Sequence, residues 1–276
     1  MKKLKFSKYQ GLGNDFILLE EKVVKGLDYS HLAKSVCDRH FGIGADGMAI
    51  IKKIDNKWTM PFFNADGSEA PMCGNASRCV ADYLQKYHNQ EDSFVLVTKG
   101  ANLYMSFIED EVSVNLGEPK FSSQDVPISW SGKDFISQEI EVLDKKVEIS
   151  ALFMTTSHSV IIIKSFKDID LKAIGRAVEN HYLFPEKINV NFIVIKNRGF
   201  IKQKTWERGV GMTLACGTGA SASVALAHKL SLVDDYVKVE MDGGSLSIKV
   251  TENNEVIMQG KVSEIACGEY FYKEEI

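Results

Sequence analysis

A cysteine followed by glycine, one polar residue and then a stretch suited to a helix occurs twice in the 276-residue chain, as Cys73-Gly74-Asn75 and as Cys216-Gly217-Thr218. Before Cys216 the chain is charged and glycine-rich; beyond Gly219, the run Ala220–Leu230 contains neither proline nor glycine and is dominated by small apolar residues. That composition predicts a buried helix. The helix after Cys73 is expected to reach about His88. A cysteine at the start of a helix faces unpaired first-turn N–H groups and the positive end of the macrodipole, a setting that favours a thiolate.

The echo extends well beyond the cysteines, which lie 143 positions apart. Asn64 stands nine residues before Cys73 and Glu207 nine before Cys216, while Gly100 and Gly243 each follow their cysteine by 27. Both glycines close strand-like runs, Phe94–Thr98 and Tyr236–Met241. Asn14–Leu19 matches His158–Ile163 at an offset of 144. Together these imply a duplication with one half-site per copy. A chain this long, 45% hydrophobic, can fill two cores of ordinary size. The expected lobes are 1–118, carrying Cys73, and 119–262, carrying Cys216, with the tail 263–276 completing the first. The proline- and serine-containing segment Gly117–Gly132 is the junction between them.

Element by element, strands are expected from Lys3, over Phe16–Leu19, Met48–Ile51, Trp58–Phe63, Phe94–Lys99, Leu103–Ile108 and Val112–Leu116, with a helix over Tyr29–Arg39. The second half repeats this order: strands near Glu139–Glu148, Ala151–Thr155, Val160–Ile163, Asn189–Ile195 and Phe200–Trp206, a helix over Leu171–Asn180, and a hairpin over Tyr236–Val250 turned at Asp242-Gly243-Gly244. Glu255–Tyr272 adds one or two strands. The fold class is therefore α/β, two pseudo-symmetric lobes each wrapping a mixed sheet round a central helix. If the lobes face each other, both helix starts point into one cleft. Gly42-Ile43-Gly44-Ala45-Asp46-Gly47 spells a dinucleotide-binding string, but a helix precedes it and a strand follows, the reverse of what that mechanism needs.

A formal charge of −4 argues against nucleic acid as partner. No apolar run reaches the ~20 residues that a membrane helix requires, and the basic start leads into Ser7-Lys8-Tyr9-Gln10 rather than a secretory apolar segment. A cytoplasmic protein is expected, its five cysteines kept as thiols. Cys37, Cys79 and Cys267 lack the helix-start setting and read as structural. Without a C-x-x-C pair or an H-E-x-x-H helix, zinc is not expected.

Two opposed cysteines support a specific chemistry: a thiolate removes a proton from one face of a carbon while a thiol delivers one to the other, with neither metal nor cofactor. The backbone N–H groups of Gly74-Asn75 and Gly217-Thr218 are placed to receive a carboxylate that gains charge as its α-carbon loses the proton.

The motifs Gly11-Leu12-Gly13-Asn14-Asp15-Phe16, Phe63–Glu69, Cys73-Gly74-Asn75, Trp206-Glu207-Arg208-Gly209 and Ala215–Ala220, in this order, resemble those of diaminopimelate epimerases over nearly the whole chain. The resemblance implies a cofactor-independent isomerase, usually a homodimer, that interconverts LL- and meso-diaminopimelate for lysine and peptidoglycan synthesis. It makes Cys73 and Cys216 the acid/base pair and places Gly74, Asn75, Gly217 and Thr218 at the reacting carboxylate. It puts Asn14 near the reacting centre, Asn64, Asn189, Glu207 and Arg208 at the distal amino-acid end, and gives His158 and Glu207 a part in tuning the thiols. Where that family has Gly-Asn-Pro-His this chain has Thr155-Thr156-Ser157-His158, so Thr156 takes the place of a distal-end asparagine with one hydroxyl for an amide. Gly47 and Ala76 also depart from the usual pattern. Three other readings follow from the same residues: a racemase of another amino acid, a protein cycling Cys73 and Cys216 between dithiol and disulfide, and an amino-acid binder without turnover.

Overall fold

Twice along the chain, two parallel strands are joined across a helix that covers one face of their sheet, and twice a second such crossover carries a helix onto the opposite face. A computed structural model, describing residues 1–167 and 169–273, shows these crossovers dividing the chain into two compact units. One comprises Met1–Val114 together with the chain from Gly260 onward, and the other Asn115–Gln259.

The first unit contains β1 (Lys2–Gly11), β2 (Asn14–Glu20), α1 (Glu21–Val24), α2 (Tyr29–Cys37), β3 (Gly47–Ile54), β4 (Lys57–Thr59), β5 (Phe62–Asn64), β6 (Glu69–Ala70), α3 (Gly74–His88), β7 (Ser93–Val97), β8 (Asn102–Ile108) and β9 (Glu111–Asn115). β1 and β2 form a hairpin, β2 pairs parallel with β3 across α2, and β4 pairs parallel with β7 across α3. Ile17, Leu19, Met48 and Ile50 pack with Leu32, Ala33 and Val36 of α2. Phe16, Leu18 and Ala49, on the alternate face, are buried as well. Coverage on both faces is why these strands read as continuous apolar runs. The expected single strand Trp58–Phe63 is broken at Met60-Pro61, because Pro61 has no N–H for a ladder. The last strand, Ser263–Tyr272, pairs antiparallel with β1, and Tyr272 joins this core. Of the tail 263–276, residues 274–276 lie outside the described residues.

In the second unit follow β10 (Gln138–Val142), β11 (Lys145–Met154), β12 (Thr156–Ile162), α4 (Leu171–Glu179), β13 (Asn189–Asn197), β14 (Phe200–Glu207), β15 (Gly211–Thr213), α5 (Gly217–Lys229), β16 (Tyr236–Met241), β17 (Gly244–Val250) and β18 (Val256–Gly260). β12 and β13 are parallel across α4, and β14 and β16 across α5, repeating the first unit's plan. Asp170 caps α4 by accepting from the N–H groups of Lys172 and Ala173, as Asp28 caps α2 through His31. The expected strand Glu139–Glu148 is instead a hairpin turned at Leu143-Asp144, both with positive φ (50° and 58°). No glycine or asparagine marks that turn in the sequence. Val190 and Phe192 face the α4 core, whereas Asn191 between them points to the other face.

The helices following the two cysteines form the centres of their units. α5 packs on β11, β12, β13 and β17, and its residues Gly217 and Gly219–Ala227 are all buried. α3 packs on β1, β2 and β3 with Ala76, Cys79, Val80, Ala81 and Leu84 fully enclosed. Among the described residues no helix is long and apolar enough to cross a membrane.

Candidate active site

Both cysteines are the N-cap residues of their helices, and their backbones nearly coincide: Cys73 has φ −140° and ψ 113°, Cys216 φ −131° and ψ 108°. An N-cap is the last extended residue before the helix, so its side chain lies beside first-turn N–H groups that have no intrahelical acceptor. The approach to each cysteine is pinned in the same way. Gly100 donates its N–H to the carbonyl of Pro71 at 2.9 Å, and Gly243 donates to that of Leu214 at 2.8 Å, each acceptor two residues ahead of its cysteine. The 27-residue spacing in the sequence thus marks a shared anchor.

In the first half-site, Asn14 donates to Asp46 at 2.5 Å, Asn75 donates to Asn14 at 3.4 Å, and the guanidinium of Arg78 donates to Asn75 at 2.7 Å. Arg78 is a fully buried cation on α3, one and a half turns past Cys73, and the two interact electrostatically. Burial lowers its pKa, but an arginine remains charged at neutral pH. The position matching Arg78 in the second copy is Ser221, so the half-sites differ in charge. Asn64 is exposed at the start of a turn, with its N–H bonded to the Ser68 carbonyl and its amide donating to the Ser68 hydroxyl at 2.9 Å. The literal dinucleotide string has a different task here: Gly42, Ile43 and Gly44 donate to carbonyls of Asp38 and Val36 and close the end of α2.

The second half-site is more deeply buried. His158, with no solvent exposure, lies with Nε2 3.1 Å from the Thr218 hydroxyl, which is 3.6 Å from the sulfur of Cys216. Burial, reinforced by the positive charge of Arg208, drives the His158 pKa down to about 3, so the ring is neutral at physiological pH. Asn189 uses its amide on backbone, donating to Ser157 at 3.0 Å and accepting from the N–H of Arg208 at 2.9 Å. It thereby holds the loop that carries Glu207 and Arg208. Burial pushes the Glu207 carboxyl above its ordinary pKa, although Thr213 donates to it at 2.7 Å. The exposed Arg208 side chain rests on the Glu186 carbonyl at 3.0 Å. Thr156 opens β12, two residues before His158.

The three other cysteines lie elsewhere: Cys37 and Cys79 are buried, and burial raises both thiols, Cys37 to about 12, while Cys267 is exposed on the last strand. A surface hollow lined by Arg198, His228, Ser231, Asp234 and Asp235 contains none of these site residues, and its charges pair with one another.

Residues 6–122 and 150–265 match the family model described as diaminopimelate epimerase. The chain belongs to the diaminopimelate epimerase family. It is 39% identical to the diaminopimelate epimerase of Caldanaerobacter subterraneus subsp. tengcongensis, across 96% of this chain and 99% of that one, and 40% identical to that of Carboxydothermus hydrogenoformans, across 97% and 100%. The Bacillus anthracis phenazine biosynthesis protein of the PhzF family shares the fold, with a TM-score of 0.72 at 13% identity over 99% of this chain and 100% of that one.

In this member of the diaminopimelate epimerase family Thr155 has φ +60°, a left-handed conformation that a glycine adopts without cost and a β-branched residue does not. Its hydroxyl is buried without a hydrogen-bond partner among the described residues. Arg78, Asn191, Gln203, Thr205 and Thr213 lay outside the sequence expectations for the site. One signal for Asn191 was present: a polar residue inside the apolar run Val190–Ile195 is a buried amide needing partners.

Proposed function

We propose that this chain interconverts LL- and meso-diaminopimelate by two-base proton transfer, with Cys73 and Cys216 acting on opposite faces of the α-carbon. The observation that carries the reading is the matched N-cap geometry of the two cysteines at the starts of the two central helices. The thiolate takes the α-proton and becomes a thiol; the carbanion takes a proton from the other thiol, which becomes the thiolate. No electrons are exchanged with another reagent. The backbone N–H groups of Gly74, Asn75, Gly217 and Thr218 hold the carboxylate as its charge grows. Asn14 binds near the reacting centre, while Asn64, Thr156, Asn189, Glu207 and Arg208 receive the distal end, the guanidinium matching a carboxylate and Glu207 an ammonium. The fully buried cation Arg78 supports the Cys73 side as thiolate. The family resemblance further supports a cytoplasmic homodimer, which sedimentation of the purified protein would test.

Incubating the reduced protein with LL-diaminopimelate in heavy water should place deuterium at the α-carbon of the meso product. Absence of exchange would sink the mechanism, and exchange surviving replacement of both Cys73 and Cys216 by alanine would sink the assignment of the bases. Because Thr156 replaces an amide, the same assay with single-centre amino acids discriminates the substrate: faster turnover of one of those favours a racemase on this fold.

A further inference from the structure

Asn191 stands in the middle of β13, fully buried, and each of its polar atoms has a defined role. Its Nδ2 lies 2.9 Å from the carbonyl oxygen of Ser159. A carbonyl only accepts, so the amide nitrogen must be the atom facing it. The Oδ1 atom accepts from Thr205 at 3.0 Å and from Gln203 at 3.3 Å, which fixes the amide from its other side. The second Nδ2 proton then points at Nδ1 of His158, 3.2 Å away. An atom that accepts a hydrogen bond carries no proton, so in the neutral ring the proton sits on Nε2.

The consequence runs toward the thiol. Nε2–H donates to Thr218 across 3.1 Å, occupying that hydroxyl as an acceptor and leaving its own proton to point to the Cys216 sulfur at 3.6 Å. Reversed, with the proton on Nδ1, the ring would meet the Asn191 amide donor to donor, and Nε2 would draw the threonine proton away from the sulfur.

Resting on the two-base reading above, we propose that Asn191 is the positioning residue of the second half-site: held by Gln203, Thr205 and Ser159, it locks His158 in the Nε2–H tautomer, so that Thr218 presents a hydrogen-bond donor to Cys216. The lock stabilises Cys216 as a thiolate without placing a charge beside it. The Arg208 cation, the charged group acting on His158, opposes ring protonation and so reinforces the neutral form. The two half-sites thus use different devices, a buried cation near Cys73 and an oriented neutral chain at Cys216.

Nitrogen-15 labelling of the six histidines, with His158 assigned from the spectrum lost in H158Q, reads the tautomer directly and needs no activity. The expected spectrum has Nδ1 unprotonated and Nε2 protonated, unchanged from pH 5 to 9. A proton on Nδ1, a tautomer average or an imidazolium in that range overturns the proposal. In N191D the carboxylate accepts from Nδ1–H, so the proton should move there; in N191L the lock is lost and the tautomers should mix. Turnover should fall about 10–100-fold in both, the scale of losing the partner that orients a metal-ligating histidine, mainly in kcat and with the acidic limb of the pH profile, which reports formation of the Cys216 thiolate, displaced upward. N191L with the wild-type tautomer and wild-type kcat refutes the lock, and if neither variant folds the wild-type spectrum still decides. A wild-type protein with the Nε2–H tautomer but no deuterium exchange would refute the epimerase reading and leave the lock standing.

Discussion

A methyl group placed on Gly219 would lie 2.3 Å from the amide oxygen of Asn191 and 3.2 Å from the sulfur of Cys216. The third residue after the cysteine is therefore held to glycine by the approach of β13 to the first turn of α5, and not by its own backbone angles. Alanine at 219 forces Asn191 back and should cost about 1–3 kcal/mol, the usual range for overpacking a tight site. Turnover should drop further than that loss of stability explains, because the displaced amide is the one facing His158. The G219A stability loss in urea denaturation should be smaller in an N191A background than in the wild type, since the clashing amide is then absent, while turnover stays impaired. A G219A protein with wild-type stability and turnover would contradict the packing argument.

Much of this site was legible in the sequence because duplication writes the same device twice. Matching Cys73-Gly74-Asn75 with Cys216-Gly217-Thr218 located both N-caps, and the Gly100 and Gly243 spacing reflects paired hydrogen bonds to Pro71 and Leu214. Helix α5 was legible because an uninterrupted run of small and apolar residues has few alternatives to burial. What stayed hidden depends on tertiary placement. Arg78 reads as an exposed helix charge until α3 is set against its sheet, and Gln203 and Thr205 meet Asn191 only through β13–β14 register. The Leu143-Asp144 turn hid because Asp144 alone, without a glycine or asparagine beside it, is a weak signal for a turn that needs positive φ at both residues.

The neutral, buried His158 has a thermodynamic consequence. Its folded pKa near 3 lies below the ordinary 6.5, so between these values the unfolded chain binds the proton and the folded one does not. The contribution is fully present above pH 6.5 and is lost as pH falls, with a limiting slope of about 1.4 kcal/mol per pH unit. Denaturant titrations from pH 7 to 4 should show that slope reduced in H158Q. Parallel pH dependence in the two proteins would mean that His158 is protonated in the folded state.

Thr155 is held at φ +60° with its hydroxyl buried and unpartnered among the described residues. Left-handed backbone at a non-glycine residue costs on the order of 1–3 kcal/mol, and the unpaired hydroxyl adds to it. Glycine relieves both at the expense of a looser unfolded chain, about 0.4–1 kcal/mol. T155G should therefore be the more stable protein, by about 1 kcal/mol once these terms are set against each other. Thermal denaturation of T155G and wild type decides the matter, and a lower midpoint in T155G would refute the strain assignment.

Glu207 carries the opposite burden, a carboxylate that burial makes costly to ionise. Its folded pKa is raised, so the folded state holds the proton more tightly than the unfolded chain, and stability is lost as pH rises from the ordinary carboxylate value through the raised one. Glutamine has nearly the same shape, keeps an oxygen to accept from Thr213, and removes the charge. E207Q should accordingly be more stable than wild type at neutral pH, with the advantage disappearing below the ordinary carboxylate pKa. The same change should impair turnover of a substrate with a distal ammonium, raising KM, because a neutral amide replaces the counter-charge. Stability and activity then move in opposite directions, as expected where a destabilising group is kept for binding. An E207Q protein less stable at neutral pH, or one with unchanged KM for diaminopimelate, would show that the carboxylate serves the fold instead of the substrate.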